Sequence, residues 1–222
     1  MQEVEAVKSA GQLAQLKAHL SERGAIYLDV WKFGVNTTLR ITDLLSIPVD
    51  DVRALDAEHP VLAIRETKTG KQRTITLDRG ALAVVKRRLE RHAADTWLFQ
   101  STSARHSRRD PPKPVTRRVV GRVFAAAGET IRQRAQLGTH SMRKTHGYAM
   151  HAAGVRIERI ARMFGHSHPA ITRRYIGLDT ATVRWGVQGV RAVNSPSRFA
   201  ALDLPRRFSC ISVSQICMMK PT

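Results

Sequence analysis

Apolar residues recur at helical spacing in many stretches of this chain and at alternating spacing in only one. Leu13, Leu16 and Leu20 share a face in a segment that Ser9 opens as a cap and Gly24 closes, predicting a helix over residues 9–23. Ile26, Leu28, Val30, Trp31 and Phe33 predict a second helix over 25–35. Asn36-Thr37-Thr38 breaks it, a third runs over 39–45 with Leu44 and Leu45 inward, and Pro48 ends that element. A β section follows directly: Val61-Leu62-Ala63-Ile64 and Thr74-Ile75-Thr76-Leu77 are rich in β-branched residues and flank Thr67-Lys68-Thr69-Gly70-Lys71, predicting one hairpin with a cationic tip. Asp78 caps a helix over 79–92 with Leu82, Val85 and Leu89 inward, and Thr116 caps another to 127, stopped by Gly128. Helices over 141–153, 156–164, 170–176 and 179–190 complete the chain, with a turn at 165–169. The predicted fold class is mainly α with a small antiparallel β-sheet (α+β). Residues 1–7 read as an unanchored lead-in, 8–190 as one domain, and 191–222 as a tail of different character.

Charge narrows the function. The chain carries a net +19, and residues 100–175 alone hold 16 Lys/Arg against 3 Asp/Glu. A solubilising surface usually mixes both signs, so the excess points to a polyanion. The proline-bearing loop 101–114, with Arg105, Arg108, Arg109 and Lys113, suits tracking a phosphate backbone. Cys210 and Cys217 lie in the tail and form neither a C-x-x-C pair nor a disulfide framework. No signal peptide and no apolar run of membrane-spanning length is visible, so the expected location is cytoplasmic.

The candidate chemistry gathers late in the chain. His140 and Arg143, three residues apart at a helix start, share its N-terminal end, where unpaired N–H groups and the helix dipole favour an anion. Adding His166 and Tyr175 suggests phosphoryl transfer with tyrosine as nucleophile. Five histidines fall between 140 and 168, yet none forms an H-E-x-x-H group and no acid clusters with them, so no metal is expected, and His146, His151 and His168 read as structural or surface residues. Arg40, between Leu39 and Ile41, reads as partly buried and in need of a partner. Asp43 is the candidate, which by itself leaves Arg40 open between a structural ion pair and a ligand. Lys68 and Lys71 are equally readable as solvated turn lysines.

Taken together, Thr38-Leu39-Arg40-Ile41-Thr42-Asp43, Lys68 in the hairpin, His140-Ser141-Met142-Arg143, Gly165-His166 and Tyr175 resemble, in order, the motifs of the tyrosine recombinase (phage integrase) catalytic domain. The resemblance covers roughly residues 8–190. It implies Arg40 and Arg143 as phosphate ligands, Asp43 orienting Arg40, His140 as general base, Lys68 as general acid, His166 as a hydrogen-bond donor to the phosphate and Tyr175 as the nucleophile. The implied reaction forms a 3′-phosphotyrosyl link and frees a 5′ hydroxyl; the link conserves the phosphodiester energy, so no metal, ATP or other cofactor is implied. The implied partner is double-stranded DNA, its backbone also met by Arg173 and Arg174, with a homo-tetramer on DNA, accessory DNA-bending proteins, a nucleoid setting and a C-terminal segment that docks on a neighbouring protomer. The family usually has glycine where Thr38 stands, which predicts a strained or altered turn before Arg40. It also usually has a helical DNA-clamping domain ahead of the catalytic one; here about 24 residues precede the second helix, so weak, salt-sensitive binding is expected. A type IB topoisomerase-like activity and a non-catalytic DNA-binding protein are the alternatives.

Overall fold

The computed structural model describes residues 4–101, 111–131 and 136–178. The expected helix over 179–190, the 191–222 tail, and Arg105, Arg108 and Arg109 lie outside the described residues. In chain order the elements are α1 (Ala10–Arg23), α2 (Ala25–Thr37), α3 (Ile41–Leu45), α4 (Val49–Arg53), β1 (Val61–Arg65), β2 (Gln72–Thr76), α5 (Arg79–Arg91), α6 (Arg117–Thr130), α7 (Ser141–Ala152), α8 (Ile157–Phe164) and α9 (Pro169–Tyr175). The mainly helical α+β class is what the sequence predicts.

Caps act where expected. The side chains of Ser9, Asp78 and Thr116 accept from the backbone N–H of Gln12, Ala81 and Val119. Other boundaries move, each for a local reason. Asn36 and Thr37 do not break α2: their side chains donate to the Lys32 and Phe33 carbonyls one turn back, so the helix runs on to Thr38. The short α4 between Pro48 and the hairpin went unpredicted, and α6 passes through Gly128 to Thr130. On α5 the fully buried face is Ala81, Val84, Val85 and Arg88, with Leu82 and Leu89 half-buried beside it. Arg88 lies inside because its Nε donates to the Leu98 carbonyl at 3.0 Å and its Nη2 meets Asp95 at 3.3 Å.

The two strands pair antiparallel from Val61↔Thr76 to Arg65↔Gln72. Leu62 and Ile75, directly opposite, face the core, while Val61, Ala63, Thr74 and Thr76 face water. The lead-in is not unanchored as expected. Glu5 N–H donates to the Gln136 carbonyl, Val7 N–H donates to Thr145 Oγ1 at 2.9 Å, and Ala6 and Val7 are buried.

Two hydrophobic clusters hold these elements. The larger is built on α1–α6 and the hairpin, with Trp31 edge-on to Phe124 and Phe33 edge-on to Phe99, and includes Met142. The smaller comprises Met150, Ile157, Ile160, Phe164 and Ile176. Helix α7 contributes to both, and two glycines let it pack tightly. A Cβ on Gly34 would collide with Met142, and one on Gly147 would lie 2.7 Å from Ile176 and 2.8 Å from the Phe164 ring. Among the described residues no helix is long and apolar enough to cross a membrane.

Candidate active site

Two helices end against the same guanidinium. α2 stops at Thr38, whose φ of 57° puts a β-branched residue in the left-handed region. α8 stops at Phe164, followed by left-handed Gly165. Carbonyls at helix C-termini lack intrahelical partners and carry the negative end of the dipole, so a buried cation is favoured there. Arg143, on the first turn of α7, meets both: Nη1 donates to the Thr38 carbonyl at 2.9 Å and Nη2 to the Phe164 carbonyl at 2.6 Å. Its guanidinium also lies 4.6 Å from the Phe164 ring centroid. Burial lowers its pKa to about 10, which leaves it charged at neutral pH. Two of its N–H groups are committed to these carbonyls, and the rest of the fork can face an anion.

Thr38 also shapes the approach to Arg40. The strain expected from a threonine at this position is present, in the form of that positive φ. Arg40 follows as the N-cap of α3 in extended backbone, half-buried. Its acidic partner is Glu66, not Asp43: Arg40 Nη1 lies 2.9 Å from Glu66 Oε2, an ion pair without hydrogen-bond alignment. Burial raises the Glu66 pKa, but the Thr69 hydroxyl, Arg40 and Arg73 outweigh it and hold the carboxyl below its ordinary value. Asp43 is buried one helical turn away and accepts the Thr67 N–H at 2.8 Å. It therefore secures the base of the hairpin turn, and the expected Arg40–Asp43 pair is replaced by an Arg40–Glu66 pair because the hairpin folds over α3. Lys68 is exposed on that turn, two residues beyond Glu66.

The remaining residues meet around Tyr175. His140 Nδ1 is 3.3 Å from the Tyr175 hydroxyl. The His166 ring packs edge-on to Tyr175 at 5.1 Å, and its Nδ1 is 2.9 Å from Oγ1 of the fully buried Thr172. In the tautomer in which the Thr172 hydroxyl donates to Nδ1, the ring proton is on Nε2. Left-handed Gly165 makes this placement possible by letting the His166 N–H bond back to the Ala161 carbonyl at 2.9 Å. Lys144 Nζ lies 5.1 Å from the Tyr175 ring centroid.

Electrostatics sort the roles. Burial raises the Tyr175 pKa above its ordinary value, only partly offset by Arg143 and Arg40. Burial also lowers the His140 pKa, helped by Arg117, Arg143, Lys144 and Arg40. His166 is lowered by burial and then by Arg143 and Arg40. A phenol reluctant to ionise thus sits against an imidazole that is neutral and able to accept a proton.

The structure brings Arg40, Arg143, His140, His166 and Tyr175 into one cluster. Arg173 and Arg174 are exposed on α9, and Lys113 is exposed on the strand-like segment whose carbonyl accepts the Ser101 N–H. His146 is a buried core residue whose ring meets the Val35 carbonyl, and burial takes its pKa down to about 4. Sequence reasoning missed Glu66 and Arg73. Both were findable by strand alternation: Glu66 continues the inward series Leu62, Ile64, and Arg73 precedes Ile75 by two, so each is a charge on the core face of a hairpin.

Residues 9–181 match the model of the phage integrase family. The chain is 31% identical over 189 residues to "Probable integrase/recombinase YoeC" of Bacillus subtilis (strain 168), covering 82% of this chain and 93% of that protein. Three further relatives, 25–27% identical, are matched over 44–54% of their own length, so this chain spans about half of each. Among solved structures, the XerA recombinase superposes with a TM-score of 0.63 at 16% identity, covering 86% of this chain and 67% of that one. The XerH site-specific recombinase in a post-cleavage complex with its difH substrate superposes with a TM-score of 0.61 at 14% identity, covering 84% and 53%. At such identities the likeness to the solved structures is one of fold.

Proposed function

The chain belongs to the phage integrase family, and on that premise we propose that it is a site-specific DNA recombinase that cleaves and rejoins strands through a phosphotyrosyl intermediate at Tyr175. The observation that carries the reading is the 3.3 Å approach of His140 Nδ1 to the Tyr175 hydroxyl, one helical turn from a buried guanidinium. A phosphodiester repels an incoming oxygen until its charge is neutralised. Arg143 and Arg40 supply that charge, permanently and in a planar fork suited to phosphate oxygens.

Tyr175 Oη attacks phosphorus while its proton passes to His140, and the P–O bond to the 5′ oxygen breaks. That oxygen takes a proton from Lys68, and the 3′ phosphate stays on the tyrosine. His166 donates through Nε2 to a non-bridging oxygen as charge builds. The reverse sequence, with a different 5′ hydroxyl attacking, rejoins strands. Docking DNA places a phosphate beside Arg40, Arg143 and the hairpin tip, which draws the exposed Lys68 into contact. Basic residues at Lys113, Arg117, Arg173 and Arg174 extend the positive surface along the backbone. Assembly as a tetramer on two DNA sites, accessory DNA-bending proteins and a nucleoid setting are parts of the same proposal.

The test is covalent capture. The protein is incubated with random and nicked duplexes in EDTA at low salt, denatured with detergent, and its bound DNA is sequenced. Adducts with the wild-type protein and none with Tyr175→Phe, which still binds DNA, are expected. A shared sequence among the adducts is expected of a recombinase; adducts without any preference would indicate relaxation chemistry instead. DNA binding with no adduct under any condition would overturn autonomous catalysis.

A further inference from the structure

Arg73 takes no part in the proposed chemistry, yet it touches three parts of the site at once. From β2 its Nη2 donates to Thr38 Oγ1 at 3.1 Å and to the Met163 carbonyl at 3.3 Å, while its Nη1 lies 3.6 Å from Glu66 Oε1. Thr38 precedes Arg40 by two residues and gives its own carbonyl to Arg143. Met163 is next to Phe164, whose carbonyl takes the other arm of Arg143, and three residues before His166. Glu66 holds Arg40 and opens the turn carrying Lys68.

We propose that Arg73 is a positioning residue that locks the hairpin, the α2–α3 turn and the end of α8 into one frame, and that the Thr38 hydroxyl is its keyed partner in this chain. Three features carry this. Both Nη2 contacts and the Glu66 pair engage the guanidinium with protein groups of three separate elements, while about a quarter of the side chain, 24%, stays exposed. A β-branched residue at a φ of 57° is strained, and its hydroxyl gains here a bond that offsets part of the strain. A glycine at this position would remove the strain and the bond together. The residues it links lie 35 and 90 positions away, so no local element could hold them in register.

The catalytic side of the proposal rests on the recombinase reading; its structural side does not. Five proteins are compared: wild type, Thr38→Gly, Thr38→Ser, Arg73→Gln, and the Thr38→Gly/Arg73→Gln double variant. Single-turnover adduct formation at saturating duplex, DNA affinity, melting temperature, and hydrogen exchange of 66–71 and 163–166 are read for each. Thr38→Gly is expected to melt higher than wild type yet form adduct about tenfold more slowly, because coupled contacts of this kind are worth a factor of that order. Arg73→Gln is slowed similarly at unchanged DNA affinity, the double variant is no slower than the worse single, and Thr38→Ser, which keeps the hydroxyl, stays near wild type. Both slowed variants exchange faster at 66–71.

Multiplying rate losses in the double variant, or a Thr38→Gly protein that cleaves like wild type, would overturn the linkage. So would an Arg73→Gln protein that binds DNA more weakly but cleaves normally once bound, since Arg73 would then be a phosphate contact. If the wild-type protein itself forms no adduct, the recombinase reading has failed and exchange alone decides. Faster exchange at 66–71 in Thr38→Gly and Arg73→Gln but not in Thr38→Ser then supports the frame, and unchanged exchange in all of them refutes it.

Discussion

The larger hydrophobic cluster draws on α1–α6, the hairpin and Met142, with Trp31, Phe33, Phe99 and Phe124 wholly buried at its centre. The smaller one has five buried side chains from the end of α7, α8 and the residue after α9. Arg40, Asp43 and the Lys68 hairpin stand on the first; His166 and Tyr175 stand on the second; His140 and Arg143 sit on the helix that crosses between them. Arg40 and the hairpin are thus mounted on the part with the larger set of buried apolar side chains. Tyr175, the proposed nucleophile, is carried by a seven-residue helix whose buried side chain is Thr172 alone. Elements with few buried contacts open at lower free energy than the core, so α9, which carries Tyr175, is the element of this part best able to shift.

The comparison breaks first at the aromatic centres. Phe124→Ala should cost about 3–5 kcal/mol and lower the denaturation midpoint of the whole domain. Phe164→Ala should cost a similar amount locally, since Phe164 packs against Arg143, His166, Tyr175 and Gly147. Hydrogen exchange should rise over 157–176 and adduct formation should be lost, while 10–37 stay protected; a uniform rise over both clusters would mean they are one cooperative unit.

Acid tests the side of α7 that faces α2. Folded His146 takes a proton only near pH 4, whereas an unfolded imidazole does so at its ordinary 6.5. Between those values the unfolded state binds the extra proton, so stability falls as pH falls, by roughly 3 kcal/mol across the window. His146→Asn, able to donate to the Val35 carbonyl without titrating, should lack that increment in urea melts at pH 7 and pH 4. A variant with the same acid dependence as wild type would place the titration elsewhere.

Gly147→Ala probes the other side of α7. Its methyl must displace Ile176 and the Phe164 ring, so about 1–3 kcal/mol of loss confined to the small cluster is expected. Thr38→Gly is the smallest change: relief of a left-handed β-branched residue should add about 1 kcal/mol, visible as a raised melting temperature. A lowered one would mean the Arg73 bond outweighs the strain.

Much of this molecule could be read from the chain. Caps at Ser9, Asp78 and Thr116, apolar spacing in α1, α2 and α8, and β-branched runs around Thr67–Lys71 specify helices and hairpin, because propensity and periodicity are properties of neighbouring residues. The order Arg40, Lys68, His140, Arg143, His166, Tyr175 could likewise be read, being a matter of residue type and spacing. Tertiary structure decided the rest. Asp43 was the acid nearest Arg40 in sequence, yet the folded hairpin supplied Glu66. Asn36 and Thr37 looked like breakers, yet their hydroxyl and amide found carbonyls inside the helix. Arg143 joins Thr38 across 105 positions and His140 meets Tyr175 across 35. A periodic pattern marks which face of a helix turns inward, but what lies opposite that face is set by how distant helices pack around a shared core, and the candidate site is made of such distant pairs.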